Sequence, residues 1–553
     1  MKIFAFGRVQ FVIVIFLLLV MAMSARVVLL QFVDGDFLQD QGDARTIRME
    51  RINAHRGMIK DRKGKPLAIS SPVTSLWANP AELLDGTQNL DQLALMFDVA
   101  PKEFEGRLKK NEIKNFIYLR RHMPPPEAEK ILSLDIRGVY AEREYHRFYP
   151  AGEVTSHIIG FTNIDDAGQE GLELSYDNWL QGTPGKKKVL KNLYGQIVRD
   201  IKPVSEARPG KELTLSVDLR LQYLAYRELK SAVSYHNAES GSFVILDVLS
   251  GEVLAMVNQP SYNPNNRASL ELDTVRNRAA TDVFEPGSTV KPFTVAVALE
   301  TGAYTADSEI DTSPGFIHVG GKTIPDPSNY GVLDLGSIIA KSSQVGITKL
   351  ALSLNEYDVW SMFQSVGYGQ GTGIGFPGES SGFLPNHRRW KDIERATFAY
   401  GYGFTVTPLQ LAASYLAIAN GGVHRELSLL HSAETKGTRV FNASTALELR
   451  AMLHQAIMDG TGSGARVDGY TVAGKTGTVR KVGKSGYEDT RHLAFFAGMA
   501  PAMNPRIVGV VMINDPKHGE YGGGAVAAPV FSRVIAGVLR LLNVPPTLID
   551  EAA

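Results

Sequence analysis

The chain contains no cysteine. That excludes disulfides, thiol nucleophiles and cysteine-ligated metal sites, and it fits a cytosolic or a periplasmic address equally. Charge of one sign is lacking too. Lys and Arg number 58, as do Asp and Glu, so no basic field points to nucleic acid. The twelve histidines form no H-E-x-x-H or close ligand cluster and read as surface or core residues, not zinc ligands. No metal or cofactor is expected. Long apolar runs are scarce: one lies near the N-terminus, and no second run approaches that length. What remains, 44% hydrophobic and 21% charged over 553 residues, is ordinary globular composition without long disorder, on a chain of more than one domain.

Lys2 and Arg8 precede an uncharged run, Val9 to Ala25. Its strictly apolar part, Phe11 to Met23, suits a signal-peptide core as well as a membrane anchor. The anchor is favoured. Apolar character resumes after Arg26 with Val27 to Leu30, Arg26 lies close enough to the outer end to snorkel, and Met23-Ser24-Ala25 matches A-x-A poorly. The expectation is a cytoplasmic tail over 1–8 and a transmembrane helix over 9–30. Basic residues before the span and Asp34 and Asp36 after it place the N-terminus in the cytoplasm, with everything from about residue 31 outside that membrane.

Residues 45–205 read as a separate, non-catalytic domain. Met58 to Ile69 looks like two short strands around an Asp/Gly turn. Leu90 to Ile113 is helical with a break at Pro101, and Pro124 to Pro126 lead into a helix through Leu132. Arg143 to Pro150 alternates charged and aromatic residues, as a half-exposed strand does, and Glu170 opens a helix to Leu180. The run Lys186-Lys187-Lys188 reads as a solvated hairpin edge, where lysine discourages edge pairing. After a Pro/Gly/Ser connector near Pro203 to Gly210, residues 213–545 show a different pattern. Asp218 caps a helix to about Tyr235. Phe243 to Val248 and Val253 to Val257 form a hairpin, His492 to Met499 and Ile507 to Ile513 form another, and a long apolar helix, about Val526 to Leu542, follows. The fold class expected is α/β in the α+β sense, an antiparallel sheet packed by helices.

Within this second domain, Glu285-Pro286-Gly287-Ser288-Thr289-Val290-Lys291 places a serine and a lysine three residues apart at the start of an apolar helix that stops at Gly302. Positions i and i+3 share a helix face, so the lysine amine comes within reach of the serine hydroxyl. An unassisted serine is a poor nucleophile and needs an adjacent base. A lysine serves if burial or nearby positive charge lowers its pKa. Alone, such a pair is also what any helix start with a solvated lysine produces. Pro292 cannot donate to the Ser288 carbonyl, so the first turn should be irregular. Two further motifs lie downstream. Lys341-Ser342-Ser343-Gln344 sits in a helical, apolar context. Gly474-Lys475-Thr476-Gly477-Thr478 follows a strand-like run, and an edge strand there suits pairing with an extended anionic peptide. Gly477 leaves that approach unobstructed, and Lys475 adds charge that favours a neutral Lys291. Each motif singly also fits an ordinary helix start or strand end.

Together and in this order, S-x-x-K, S-x-N and K-T-G resemble the penicillin-binding proteins and serine β-lactamases. Arg56-Gly57-Met58-Ile59-Lys60-Asp61-Arg62, Arg147 to Gly152 and Glu170-Gly171 resemble the pedestal (dimerisation-type) domain of the class B penicillin-binding proteins, and Tyr400 to Gln410 belongs to the same pattern. The single anchor, the short pedestal and the ending Gly523 to Phe531 resemble the division-specific, FtsI-type branch. The resemblance implies a peptidoglycan D,D-transpeptidase with no cofactor. Ser288 would attack the penultimate D-alanine carbonyl of a lipid II-derived stem peptide, and neutral Lys291 would take its proton. The Ser288 and Thr478 N–H groups would form the oxyanion hole, and Ser342 with Lys475 would relay a proton to the leaving D-alanine. Thr476 and Thr478, beside Gly477, would hold the substrate carboxylate, and an amine from a neighbouring stem would complete a cross-link at the division septum. β-Lactams would acylate the same serine. Partners implied are an FtsW-type glycosyltransferase and other divisome proteins. One residue departs from the family pattern: Gln344 stands where asparagine is expected, keeping the amide but adding about 1.5 Å of reach. That departure motivates a penicillin-binding scaffold or sensor with weak activity as one alternative, and an elongation-specific or accessory paralogue is another. A β-lactamase lacks support, since no deacylating glutamate is found by pattern.

Overall fold

A computed structural model describes residues 3–86, 90–191, 197–268, 270–387, 389–433, 435–483 and 486–547. Helix α1 (Ile3–Val28) continues through a π-helical turn to Val33. Its 26 residues run about 39 Å at 1.5 Å per residue, beyond the roughly 30 Å of a hydrocarbon core. Protein does not cover it: Phe11 is 67% and Leu18 57% exposed. The apolar helical stretch, Gly7–Val33, is longer than the 9–30 read from sequence, because the helix takes in Gly7 and Arg8 at its start and runs on through Val33. It suits a single-pass anchor. A second helical stretch, Gly523–Leu541, is long and apolar enough by composition, contrary to the sequence reading. Half of it is buried, however, and it belongs to the core described below.

Helix α2 (Gly35–Thr46) leads directly into strand β1 (Ile47–Ile52). Strand β2 (Ile59–Lys60) turns into the long β3 (Pro66–Ala78). Asp61 holds that turn by accepting from the Lys63 and Lys65 N–H groups. Strands β4 (Ile117–Met123) and β5 (Val139–Phe148) flank β3 antiparallel. The helices at Leu90–Met96, Pro101–Lys110 and Pro125–Leu132 break at the prolines, as expected. They bury Leu93, Phe104, Leu108 and Ile131 against Leu76 and Leu119 of the sheet. Strands β6 (Gly185–Lys191) and β7 (Ile197–Ser205) join β1 in a separate sheet of order β1-β6-β7. Lys186 to Lys188 therefore lie on the central strand. They are not an edge, and edge protection does not account for them.

Two other sequence expectations change here. The helix expected from Glu170 to Leu180 is two short ones, Gly171–Ser175 and Asp177–Leu180. Arg147, read as part of a half-exposed strand, is only 3% exposed. Its Nε donates to Glu173 Oε1 at 2.6 Å, while Arg56 Nε donates to Glu173 Oε2 at 2.6 Å. Asp177 completes the cluster by accepting from Arg56 at 2.7 Å. One carboxylate bridging two buried guanidiniums makes three charges that survive desolvation only together.

Strand β8 (Leu213–Thr214) pairs in parallel with β2. The core around Ile59, Leu67, Leu172 and Leu213 is continuous with that of the following region. There helix α3 (Leu219–Tyr235) starts at Asp218, whose carboxylate accepts from the Arg220 N–H. Strands β9 (Ser240–Asp247) and β10 (Val253–Gln259) follow, then α4 (Lys291–Glu300), α5 (Leu335–Lys341), α6 (Gln344–Ser353) and α7 (Pro408–Ala419). Strands β11 (Ala473–Gly483), β12 (Gly486–Ala500) and β13 (Ile507–Asn514) and the closing helix α8 (Ala528–Leu541) complete it. The strands form one antiparallel sheet of order β10-β9-β13-β12-β11. Helices α3 and α8 cover one face. Helix α7, buried along its whole length, packs on the other. Burial on both faces explains why β9 and β13 read as nearly continuous apolar runs rather than alternating ones. Helix α7 begins with a capping box. Thr407 Oγ1 accepts from the Gln410 N–H at 3.1 Å, Gln410 Oε1 accepts from the Thr407 N–H at 2.8 Å, and Pro408 sits in the first turn.

Candidate active site

Ser288 lies in a 3-10 turn, Gly287–Val290, that runs into α4 at Lys291. Pro292 supplies the reason: with no N–H it cannot close an α-helical bond to the Ser288 carbonyl. In a 3-10 turn residues i and i+3 eclipse one another, which aligns Ser288 with Lys291. The turn is fixed from outside. The Gly287 N–H donates to Gly401 O at 3.0 Å, and a Cβ on Gly401 would fall 2.1 Å from the Gly287 oxygen. Tyr415 of α7 donates to Thr289 O at 2.8 Å, and Thr294 to Ala399 O at 2.9 Å. The stretch from Ala399 to Tyr415, which includes the Tyr400 to Gln410 segment, thus braces the turn that carries Ser288.

Lys291 is fully buried. Its Nζ donates to Ser342 O at 2.6 Å and Ser342 Oγ at 3.1 Å. Ser342 presents both oxygens because it breaks the α5–α6 connection in the left-handed conformation, φ 59°, ψ 37°. Burial, reinforced by the positive charge of Lys475, pulls the Lys291 amine well below the ordinary lysine pKa, with Asp326 opposing. Lys475 is itself 1% exposed, and burial lowers it to about 7. Its Nζ lies 3.4 Å from Thr461 Oγ1 and 3.4 Å from Thr476 O, and Thr461 Oγ1 is 2.8 Å from Thr476 Oγ1.

Strand β11 is the edge of the sheet, as the sequence suggested. Thr476 and Thr478, two residues apart on one strand face, line a cleft of about 640 Å³ together with Ser288, Ser342, Thr461 and the glycine turn at Gly522–Gly524. Thr478 Oγ1 accepts from the Gly523 N–H at 2.9 Å, which leaves its hydroxyl proton for a ligand. Gly477 has a different reason from the one read in the sequence. A Cβ there would lie 1.9 Å from the Phe495 ring, so the glycine admits a neighbouring core aromatic and not a ligand.

The structure therefore brings Ser288, Lys291, Ser342, Lys475, Thr476 and Thr478 together around one cleft. Gln344 is tied to the site by its main chain: its N–H donates to Asp326 Oδ1 at 2.5 Å at the start of α6. Asp326 was missed in the sequence, although an aspartate between two prolines, Pro325 and Pro327, is a rigid turn signal. Its Oδ1 also takes the Val345 N–H at 3.2 Å, and its Oδ2 takes the Ser343 hydroxyl at 2.5 Å. Ser343 Oγ in turn caps α6 by accepting from Gly346 at 2.8 Å. Thr461 was missed as well, its only signal being the Gly-rich turn around it. So was Glu285, which accepts from the Gly403 N–H at 2.9 Å and the Tyr487 hydroxyl at 2.8 Å.

A serine-bearing turn, a desolvated lysine at its end, a second lysine and an edge strand with two hydroxyls are the parts of a serine acyl-transfer enzyme. Comparison with known proteins agrees. The family described as penicillin binding protein transpeptidase domain matches residues 241–536, and the penicillin-binding protein dimerisation domain matches 51–215. The peptidoglycan D,D-transpeptidase FtsI of Escherichia coli (strain K12) is 44% identical over 528 residues, covering 94% of this chain and 89% of that one. The probable peptidoglycan D,D-transpeptidase PbpC of Pseudomonas aeruginosa is 41% identical, covering 99% and 97%. The structure of penicillin-binding protein 3 from Mycobacterium tuberculosis, complexed with aztreonam, superposes with a TM-score of 0.70 at 28% identity, over 90% of this chain and 98% of that one. The chain belongs to the class B penicillin-binding proteins, the serine D,D-transpeptidases of peptidoglycan, and within them to the FtsI type.

Proposed function

We propose that Ser288 is the nucleophile that accepts a stem-peptide acyl group, with Lys291 as its general base. The observation that carries this is the placement of Lys291, fully buried with its Nζ on the two oxygens of Ser342. A neutral amine has two N–H bonds and one lone pair. Ser342 O and Oγ occupy the two donors, leaving the lone pair for the Ser288 proton. Proton removal accompanies attack of Oγ on the D-alanyl carbonyl. The oxyanion is met by the N–H of Ser288, in the first turn of a helix whose N–H groups lack intrahelical partners, and by that of Thr478 on the sheet edge. The proton on Lys291 then passes through the Ser342 hydroxyl, with Lys475, to the departing D-alanine amine. Thr478 donates to the substrate carboxylate, beside Thr476. Attack by an amine of a second stem peptide on the acyl-serine forms the cross-link and frees Ser288. A β-lactam enters the same sequence and stops at the acyl-enzyme.

In this reading residues 45–205 form the pedestal and 213–545 the transpeptidase domain. The FtsI name of the relatives supports action at the division septum. The charge distribution around α1 supports an inner-membrane protein with a cytoplasmic N-terminus and a periplasmic catalytic domain. The FtsW-type glycosyltransferase and other divisome proteins remain the partners proposed. Gln344 enters through its main-chain hydrogen bond to Asp326, and its amide side chain is assigned to substrate binding. The test is release of D-alanine from a D-alanyl-D-alanine pentapeptide. Wild type releases it and Ser288→Ala does not. Release by Ser288→Ala, or none by wild type with gain in Gln344→Asn, would overturn the assignment in favour of another nucleophile or of a scaffold.

A further inference from the structure

The sheet β1-β6-β7 segregates its charges by face. Residues paired across antiparallel strands point to the same side. On one side Glu50 faces Lys187, Lys187 donates to Asp200 at 3.0 Å, and Lys191 pairs with Glu50 at 2.8 Å. On the other, Arg51 stands opposite Lys186 and Lys188 opposite Lys202, while Arg199 stands opposite Leu190. All five of these cations are exposed, and none makes an ion pair among the described residues, although Arg51 also borders a cleft holding Glu142 and Glu144. Like charges directly opposite one another destabilise a sheet. Two such pairs on a strand that is central, with both acids placed on the opposite face, imply an anion supplied from outside.

Position and chemistry select that anion. Strand β1 starts where α2 ends, and the 12 residues of α2 span about 18 Å from the end of the apolar anchor stretch at Val33. An exposed apolar side chain lies among the cations, Met49, on the same face and opposite Lys188, and β7 exposes Val198 and Val204 where its register with β6 shifts. Cations mixed with apolar side chains close to a span suit a headgroup region better than a soluble acidic partner. We propose that this face of the β1-β6-β7 sheet docks on the anionic phospholipid headgroups of the bilayer that holds α1, and so sets the stance of the pedestal. This rests on the single-pass anchor reading, whose failure shows separately as failure of the chain to enter bilayer discs of any composition.

The absence of cysteine makes a single label specific. Full-length Met49→Cys, carrying a fluorophore, is placed in phosphatidylcholine discs with or without about 30% phosphatidylglycerol, both containing a headgroup spin-label quencher. Quenching is expected to be at least about twofold stronger in the anionic discs and to vanish at about 0.5 M salt, where attraction is screened within about 4 Å. It should be lost in Lys186→Gln/Lys188→Gln/Lys202→Gln and kept in Lys187→Gln/Lys191→Gln, which removes charge from the other face. Penicillin labelling of each variant reports folding. Equal quenching in neutral and anionic discs overturns the proposal, and this is also the result if an acidic protein is the true occupant. Quenching that survives the triple substitution, or high salt in the wild-type chain should the triple variant misfold, overturns it too.

Discussion

Removing the Asp326 carboxylate tests how the second motif is held. Asp326 accepts from the Ser343 hydroxyl and from the Gln344 and Val345 N–H groups, and it is 8% exposed. Asp326→Ala leaves three buried donors without that acceptor. At about 1–3 kcal/mol for each orphaned donor, the loss is about 3–9 kcal/mol, less whatever water recovers. Asp326→Asn keeps one oxygen for the two N–H groups and loses the charge-assisted bond from Ser343, about 1.5–3 kcal/mol. Both effects reach Ser342, the residue before Ser343, and through it Lys291. A shift of about 1 Å there lowers rate roughly a hundredfold. Charge adds a separate signature. Asp326 favours the ammonium form of Lys291, so without it Lys291 ionises at lower pH. The base works when neutral, so the acid limb of the acylation profile moves to lower pH in Asp326→Asn. The assay is the second-order rate of acylation by a chromogenic β-lactam across pH, beside thermal melting. Asp326→Ala acylating within about twofold of wild type, at an unchanged melting temperature, would refute the reasoning.

Three other outcomes are expected. Gly477→Ala drives a methyl into the Phe495 ring, and overpacking of about 1–3 kcal/mol or more should appear as a lowered melting temperature, relieved by Phe495→Leu. Lys475, lowered to about 7 by burial against about 10.4 unfolded, binds fewer protons folded than unfolded between those values; stability therefore rises with pH across that window, and the rise should be smaller in Lys475→Met when urea unfolding is followed from pH 7 to 10. Glu173→Gln leaves the Arg56 and Arg147 guanidiniums without their shared anion and should cost about 3–5 kcal/mol, read by protease sensitivity of the pedestal.

Legibility of the fold followed local chemistry. Proline breaks, the Asp218 cap and the β9–β10 hairpin sit where propensity and turn signals put them, because each is decided within a few residues. Ser288 and Lys291 were legible for the same reason: a turn, a proline and a three-residue spacing fix them locally. What stayed hidden was decided by partners distant in sequence. Arg147 is buried because Glu173 lies opposite it, and Lys186 to Lys188 occupy a central strand because β1 pairs with β6 along the edge that β7 leaves free. Gly477 looked like a ligand-facing glycine until the Phe495 ring beneath it was placed. Asp326 and Thr461 carry no motif of their own and join the site through hydrogen bonds to residues 14 to 19 positions away.

Acyl transfer to Ser288, made reactive by a neutral Lys291, is read out by peptide mass spectrometry of the full-length protein after brief exposure to benzylpenicillin. One penicilloyl adduct is expected, on Ser288, absent in Ser288→Ala and slowed at least about a hundredfold in Lys291→Ala. An adduct on Ser342 or Ser343, or undiminished acylation without Lys291, would contradict it.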